Sequence, residues 1–141
     1  MECLKATDVR REFSSVVDMA VREKPVFISR TRDNLVLADI KLVLTLLQDC
    51  KLNANRYIED DGSITLSLEE IDLIVNAPTE AEAFDLLTHD IYEYAHDYYD
   101  NYTKWSTSPN RRVHLPFVMK VLAEDDMKAI GAMISCRDGV N

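Results

Sequence analysis

One feature constrains the first third of the chain more than any other: apolar residues at helical spacing, followed directly by two segments suited to strands. Apolar residues recur at three- and four-residue steps from Val9 to Val21, which predicts one amphipathic helix of about four turns. Thr7 or Asp8 can cap its first turn through a side-chain oxygen. The helix should end just before Pro25, because proline cannot continue it. This stretch must therefore fold as a helix packed on something else.

Short strands and a second helix are predicted around this first helix. Residues 2–6 can form an edge strand, and residues 26–28 are apolar and suited to a strand. Residues 31–34 are rich in Asp and Asn, which tolerate turn geometry, and residues 35–40 should return as the partner strand. A second amphipathic helix is predicted from Leu42 to about residue 50. The expected order is β-α-β-β-α.

The next segment is predicted to join two units and then to form a hairpin. Residues 51–57 are interpreted as the joint. Residues 60–63, Asp-Asp-Gly-Ser, are typical of a hairpin turn. Residues 64–68 and 71–75 both alternate apolar and polar, but with opposite parity, which indicates a bulge or bend at 69–70.

The last part of the chain is predicted to be mainly helical. Thr79 and Glu82 match a capping box, and apolar spacing continues as a long helix over 79–102. We expect a loop at 105–110, a helix at 115–122 and a last helix that begins at Asp125 or Asp126 and includes Ile134. The predicted fold class is α+β, with domains at 1–50 and 51–141.

The net charge of −9 is distributed unevenly. Residues 1–50 hold eight basic and eight acidic residues, whereas residues 51–141 hold eight basic and seventeen acidic residues. The acidic second part should repel nucleic acid and favours a small basic protein as partner. Any DNA binding must therefore come from a local patch in the first part.

The chain also carries features that restrict its class and location. It has no apolar run of about 18 residues that would suit a membrane span and no signal-peptide pattern at its start, so we expect a cytoplasmic protein with no membrane partner. The three cysteines form no CxxC pair, which favours reduced thiols.

Residues 1 to about 50 resemble the N-terminal module of the Phd/YefM (prevent-host-death) antitoxins. The match lies in the following three fragments: Thr7-x-x-Arg10-x-x-Phe13, Pro25-Val26-x-Ile28-x-Arg30 and Val36-Leu37. The resemblance implies a YefM-like β-α-β-β-α module that forms a symmetric homodimer and binds its own operator DNA, and so regulates a toxin–antitoxin operon. The whole chain is then predicted to be a small YefM-like module followed by a mainly helical α+β domain with a β-hairpin.

The resemblance also implies roles for particular residues. It places Arg10 and Arg30 in contact with DNA, and a guanidinium group suits phosphate and guanine edges. Three further basic side chains could add phosphate contacts: Lys5, Arg11 and Arg32. Four apolar side chains are expected in the dimer interface or the core: Phe13, Val16, Val17 and Ile28.

Two functions remain open at this point. The first is an antitoxin of a type II toxin–antitoxin system that binds operator DNA as a dimer and neutralises a small basic toxin through its C-terminal part. The alternative is a dimeric adaptor or ligand-binding protein with a degenerate antitoxin module and no DNA binding. The sequence has no nucleophile–base motif, phosphate loop or dinucleotide fingerprint, so we expect neither an enzyme nor a cofactor.

The long predicted helix carries two further candidate features. His89, Glu93, His96 and Asp100 share one face, but a single helix supplies too few ligands for a metal, so we interpret them as a solvated polar face and expect no metal site. Tyr92 and Tyr99 are predicted to be exposed and to border a partner-binding surface.

Overall fold

The structure is a computed structural model that describes residues 2–140. The chain divides into two compact units, Met1–Leu46 and Leu47–Asn141. Each has its own cluster of buried apolar side chains. The predicted α+β fold class is confirmed.

The first unit packs helices against a small sheet. Its elements are β1 (Leu4–Lys5), α1 (Ala6–Arg11), α2 (Phe13–Arg22), β2 (Val26–Arg30), β3 (Asp33–Leu37) and α3 (Ile40–Leu46). The sheet order is β1-β2-β3, with β1 parallel and β3 antiparallel to β2. Buried side chains of α1, α2 and β2 form the core: Val9, Val16, Ala20 and Val26.

The predicted single helix of this unit is interrupted at Glu12. Glu12 leaves helical geometry, with φ −120° and ψ 36°, and Phe13 begins a second helix. The predicted caps Thr7 and Asp8 are also wrong, because the first helix already begins at Ala6. The extended Lys5 of β1 leads straight into that helix without a side-chain cap.

The predicted hairpin between the two strands is confirmed, although it is tighter than expected. Only Thr31 and Arg32 lie between the strands, and Arg30 is paired with Asp33 across the turn. Thr31 has φ 51°, a left-handed conformation that is uncommon for a β-branched residue. The partner strand ends at Leu37 and not at Ile40.

The second unit packs helices on one face of a four-stranded sheet. Its elements are β4 (Leu52–Ile58), β5 (Ile64–Leu68), β6 (Ile74–Ala77), α4 (Glu80–Asp100), α5 (Tyr102–Ser106), α6 (Pro109–Arg112), α7 (Leu115–Glu124), α8 (Met127–Ala132) and β7 (Ile134–Asp138). The sheet order is β6-β5-β4-β7. The β4–β5 and β5–β6 pairs are antiparallel and the β4–β7 pair is parallel.

One prediction about the start of this unit is wrong, and another is confirmed only in part. Residues 51–57 are not a joint, because nearly all of them belong to the inner strand β4. Of the predicted bulge or bend at 69–70, the bend is confirmed, since the backbone bends at residues 69–71, but it separates two strands and does not lie within one. The chain reverses there, and the Leu68 N–H donates to the Leu73 carbonyl at 3.0 Å. The first set therefore forms β5, whereas the second begins in the connection and ends in the antiparallel strand β6. The predicted turn at 60–63 is confirmed between β4 and β5.

The end of the chain also differs from the prediction. The expected loop at 105–110 contains the end of α5 and the start of α6. Asp126 caps the last helix by accepting from the Ala129 N–H, but Ile134 lies outside that helix and begins β7. A parallel strand at this position pairs with a segment about 80 residues earlier, which local periodicity cannot reveal.

The long helix α4 organises the core of the second unit. The Glu82 N–H donates to the Thr79 side chain at 3.2 Å. The Glu82 carboxylate accepts from the Thr79 hydroxyl at 3.1 Å, whereas in a full capping box it would accept from the Thr79 backbone N–H. Thr79 therefore caps α4 as predicted. Its inner face is almost completely buried: Ala83, Leu87, Ile91, Ala95 and Tyr98. These side chains pack over alternate residues of the sheet: Leu52, Ala54, Leu66, Leu68, Val75 and Ala77. Burial of the apolar stripe stabilises the helix far more than its intrinsic propensity does.

Within residues 2–140, no helix is long and apolar enough to cross a membrane. The three cysteines Cys3, Cys50 and Cys136 are free thiols.

Candidate DNA-binding and partner-binding surfaces

Parallel strand pairing in the first unit brings two of the predicted DNA-contacting residues together. Lys5 is in register with Ser29, the neighbour of Arg30. Lys5 and Arg30 consequently line one shallow cavity of about 330 Å³, together with Ala6, Thr7, Ser29 and Thr31. Both side chains are exposed. The cavity presents two cations together with backbone and hydroxyl groups, which is a suitable surface for an anion.

The other three basic residues do not line this cavity. Arg10 and Arg11 lie on α1 and Arg32 lies in the β2–β3 turn, all of them exposed. Arg11 pairs with Asp8 at 2.7 Å, and Arg30 pairs with Asp33 at 2.8 Å. Within the described chain, Arg10 takes part in no such ion pair. Exposed ion pairs of this kind contribute little, so they can be exchanged for phosphate contacts at small cost.

The four predicted interface or core residues occupy different environments. Val16 is 4% exposed and belongs to the core of the first unit, and Ile28 packs against that core. Val17 is partly buried. Phe13 is 58% exposed, so it is free to contact another molecule.

The first unit exposes a large amount of apolar surface for its size. Its exposed large hydrophobic side chains are Phe13, Val21, Phe27, Leu35, Val36, Ile40 and Leu46. Phe27 and Val36 are direct cross-strand neighbours and share the sheet face opposite to Val26. Large exposed apolar patches on a small unit are typical of surfaces that bind another protein.

The outward face of α4 is strongly acidic. The helix contains seven Asp or Glu residues and no Lys or Arg: Glu80, Glu82, Asp85, Asp90, Glu93, Asp97 and Asp100. The two candidate tyrosines differ, since Tyr99 is 62% exposed whereas Tyr92 is half-buried, with its ring 4.1 Å from the ring of His96. Of the two candidates, Tyr99 is therefore the more accessible.

The four polar residues on the α4 face are not gathered around a common centre. Nε2 of His89 lies 3.5 Å from the Glu93 carboxylate, whereas Nε2 of His96 lies 3.9 Å from Asp125. In the range 2–140, no group of three or more His, Cys, Asp or Glu side chains could hold a metal ion.

Two buried polar residues were not predicted from the sequence. His114 is 4% exposed, and its Nδ1 lies 2.6 Å from the Tyr94 hydroxyl. Burial lowers the pKa of His114, and the nearby Asp72 opposes this only in part. Lys120 is 9% exposed and donates from Nζ to the carbonyls of Gln48 and Cys50. Both residues stabilise the second unit by closing contacts between distant segments.

Comparison with known proteins now identifies the class of the chain. The fold combines a small first unit, in a segment of balanced charge, with a larger acidic second unit. Residues 1–136 match a family model described as "PHD_like: Antitoxin of toxin-antitoxin, RelE / RelB, TA system", and the chain belongs to this family. The match extends well beyond the first 50 residues, which carried the predicted resemblance, and the antitoxin prediction is confirmed.

A solved structure supports the same conclusion. The crystal structure of the antitoxin part of a proposed toxin/antitoxin system from Syntrophomonas wolfei subsp. wolfei superimposes with a TM-score of 0.92. It is 33% identical in sequence, and the match covers 99% of this chain and 100% of that chain. No curated protein is significantly similar in sequence.

Proposed function

We propose that this antitoxin binds its operator DNA as a homodimer through the first unit and neutralises a basic toxin through the second. The observation that carries the DNA-binding half is the cavity shared by Lys5 and Arg30. Arg10, Arg11 and Arg32 would add contacts from α1 and the hairpin turn. Residues 1–50 carry equal numbers of basic and acidic residues, whereas residues 51–141 carry eight basic and seventeen acidic residues. The first part is therefore the one that repels a polyanion less.

The exposed apolar side chains of the first unit support a homodimer. Phe27 and Val36 lie side by side on one sheet face, 42% and 56% exposed, and a second copy would remove them from water. Operators are commonly pseudo-palindromic because a two-fold symmetric dimer presents the same contacts twice. A dimer would also double the number of phosphate contacts and thus strengthen DNA binding.

Arginine substitutions test the DNA claim. Titration of the fluorescent upstream DNA of the gene at low salt should show binding that weakens about tenfold or more in Arg10→Ala and Arg30→Ala. The logarithm of the binding constant falls linearly with the logarithm of the salt concentration. Each variant should make this slope shallower by about 0.9 for every phosphate that the protein no longer neutralises in the complex. Arg22→Ala is the matched control, since Arg22 is an exposed arginine paired with Asp18 in the same unit.

Absence of binding by the folded wild-type protein at low salt would refute the DNA claim. It would favour the alternative of a dimeric adaptor or ligand-binding protein. Equal affinity of all three variants would refute the assignment of Arg10 and Arg30.

The dimer claim has its own measurement. Val36→Glu places a charge on the exposed apolar sheet face and should convert a particle of twice the chain mass into a monomer in light scattering. Ile74→Glu is the control, because Ile74 is 68% exposed but lies in the second unit. A wild-type monomer, or a dimer unaffected by Val36→Glu, would contradict the proposed interface.

A further inference from the structure

A shallow cavity of about 300 Å³, which we name the Tyr99 cavity, lies at the C-terminal end of α4. It is lined by Tyr99, Asp100, Asn101, Tyr102, Thr103 and Lys104. Tyr99 and Tyr102 are 62% and 43% exposed. These two rings thus offer accessible aromatic surface beside a carboxylate.

One of the two rings is held in place from beneath. Tyr102 packs edge-on against the buried ring of Tyr98, with 6.3 Å between centroids. The Tyr98 hydroxyl in turn donates to the Arg111 carbonyl at 3.0 Å. A ring fixed in this way loses little conformational entropy when it contacts a ligand.

The electrostatics of the Tyr99 cavity favour a cation. Asp100 is the last residue of a 21-residue helix, whose C-terminal end carries partial negative charge. The basic residue that lines the cavity, Lys104, has its Nζ 4.4 Å from the centroid of the Trp105 ring, where it already has a favourable aromatic contact. Three kinds of group that bind cations therefore lie together here: a carboxylate, a helix C-terminus and exposed aromatic rings.

We propose that the Tyr99 cavity binds an arginine side chain of the toxin. A planar guanidinium group can stack on Tyr99 or Tyr102 and donate hydrogen bonds to the Asp100 carboxylate at the same time. A lysine ammonium group is a compact point charge and lacks the planar face that stacks on a ring. The acidic outward face of α4 would attract the basic protein surface that presents this arginine. The inference rests on the proposed function, because it names the partner contact of the toxin-binding unit.

Guanidinium chloride is the probe that tests the cavity without requiring a toxin. Millimolar guanidinium, far below denaturing concentrations, is titrated into the full-length isotope-labelled protein at constant ionic strength, and amide shifts are followed by NMR. We expect saturable shifts centred on residues 99–104. Urea at the same concentrations should give no saturable shifts at residues 99–104, since it has a similar planar shape but no charge.

Four variants separate the contributions of ring and carboxylate. Tyr99→Leu and Asp100→Asn should each weaken guanidinium binding about two- to fivefold. Tyr99→Phe should retain it because the aromatic face remains. Asp85→Asn is the matched control, since it removes a charge from the exposed face of the same helix far from the cavity. Saturable shifts that are the same in all variants, or that spread evenly along α4, would overturn the proposal, as would their absence in the wild type.

A second experiment keeps this proposal separate from the proposed function. The chain is co-expressed with the protein encoded in the adjacent reading frame, and the affinity of the complex is compared between wild type and Asp100→Asn. If no complex forms, toxin neutralisation fails whatever the guanidinium titration shows. If a complex forms and the variant binds equally well, the Tyr99 cavity is not the arginine site and only the further inference fails.

Discussion

Lys120 is predicted to hold the start of the second unit in place. Its side chain is 9% exposed, and Nζ donates to the Cys50 carbonyl at 2.8 Å and to the Gln48 carbonyl at 3.3 Å. Replacing it with Met keeps most of the side-chain volume and removes both hydrogen bonds. A hydrogen bond that involves a charged group contributes about 1.5–3 kcal/mol.

Two effects reduce the loss below the sum of the two bonds. Gln48 is exposed, so water can replace the longer bond, and Met avoids the cost of burying an ammonium group. The Cys50 carbonyl is partly buried and loses its partner. We therefore expect Lys120→Met to lower the free energy of unfolding by about 1–2 kcal/mol.

Urea unfolding measures this change. The single tryptophan of the chain, Trp105, lies in the second unit, so its fluorescence reports the unfolding of that unit. The midpoint should fall while the m-value stays constant. Lys128→Met is the control, since Lys128 is an exposed lysine on α8. A loss below about 0.5 kcal/mol, or one no larger than that of Lys128→Met, would refute this account of Lys120.

Two further stability predictions concern His114 and Thr79. Burial lowers the pKa of His114 in the folded state, so the unfolded chain binds the proton more readily and stability should fall as the pH drops below about 6.5. In urea unfolding between pH 7.5 and 5, His114→Leu should show a shallower pH dependence than the wild type, by at most about 1.4 kcal/mol per pH unit; parallel curves for wild type and His114→Leu would contradict this. Thr79→Ala removes the side-chain cap of α4 and should cost about 1 kcal/mol, measured in the same way against the exposed Thr103→Ala; an equal loss in both variants would show that the cap contributes nothing.

Features that depend on neighbouring residues were predictable from the sequence. The capping box at Thr79 and Glu82 and the apolar spacing after it identify α4, because caps and helical periodicity act over a few residues. The Asp-Gly turn at 60–63 was found for the same reason. The predicted DNA-contact role of Arg10 and Arg30 came instead from the resemblance of residues 1–50 to the Phd/YefM antitoxins.

Strand β4 was missed because a charged residue interrupts its apolar face, although the strand pairs with β5 through the predicted turn at 60–63. Its inner face continues from Leu52 and Ala54 to Arg56, and a charged residue there breaks the apolar alternation. The structure accommodates Arg56 with Glu80 at 2.7 Å and with Asp138. Those partners lie 24 and 82 residues away, so no local pattern could indicate that the position suits a strand.

The surfaces that carry the proposals were only partly predictable. Lys5 and Arg30 share a cavity because β1 pairs in parallel with β2, which sequence periodicity does not specify. The exposure of Tyr99 follows from helical periodicity. The cavity beside it exists because the chain turns at Asn101 into α5, in a region where the sequence predicted a continuous helix and a loop.

The most direct test of the central claim is a growth assay with the adjacent reading frame. Induction of that frame alone should arrest growth, and co-expression of this chain should restore it, because an antitoxin neutralises the toxin encoded beside it. Arg10→Ala and Arg30→Ala should restore growth as well as the wild type does, since the proposal places neutralisation in the second unit. No arrest by any neighbouring gene product, or arrest that this chain does not relieve, would contradict the account.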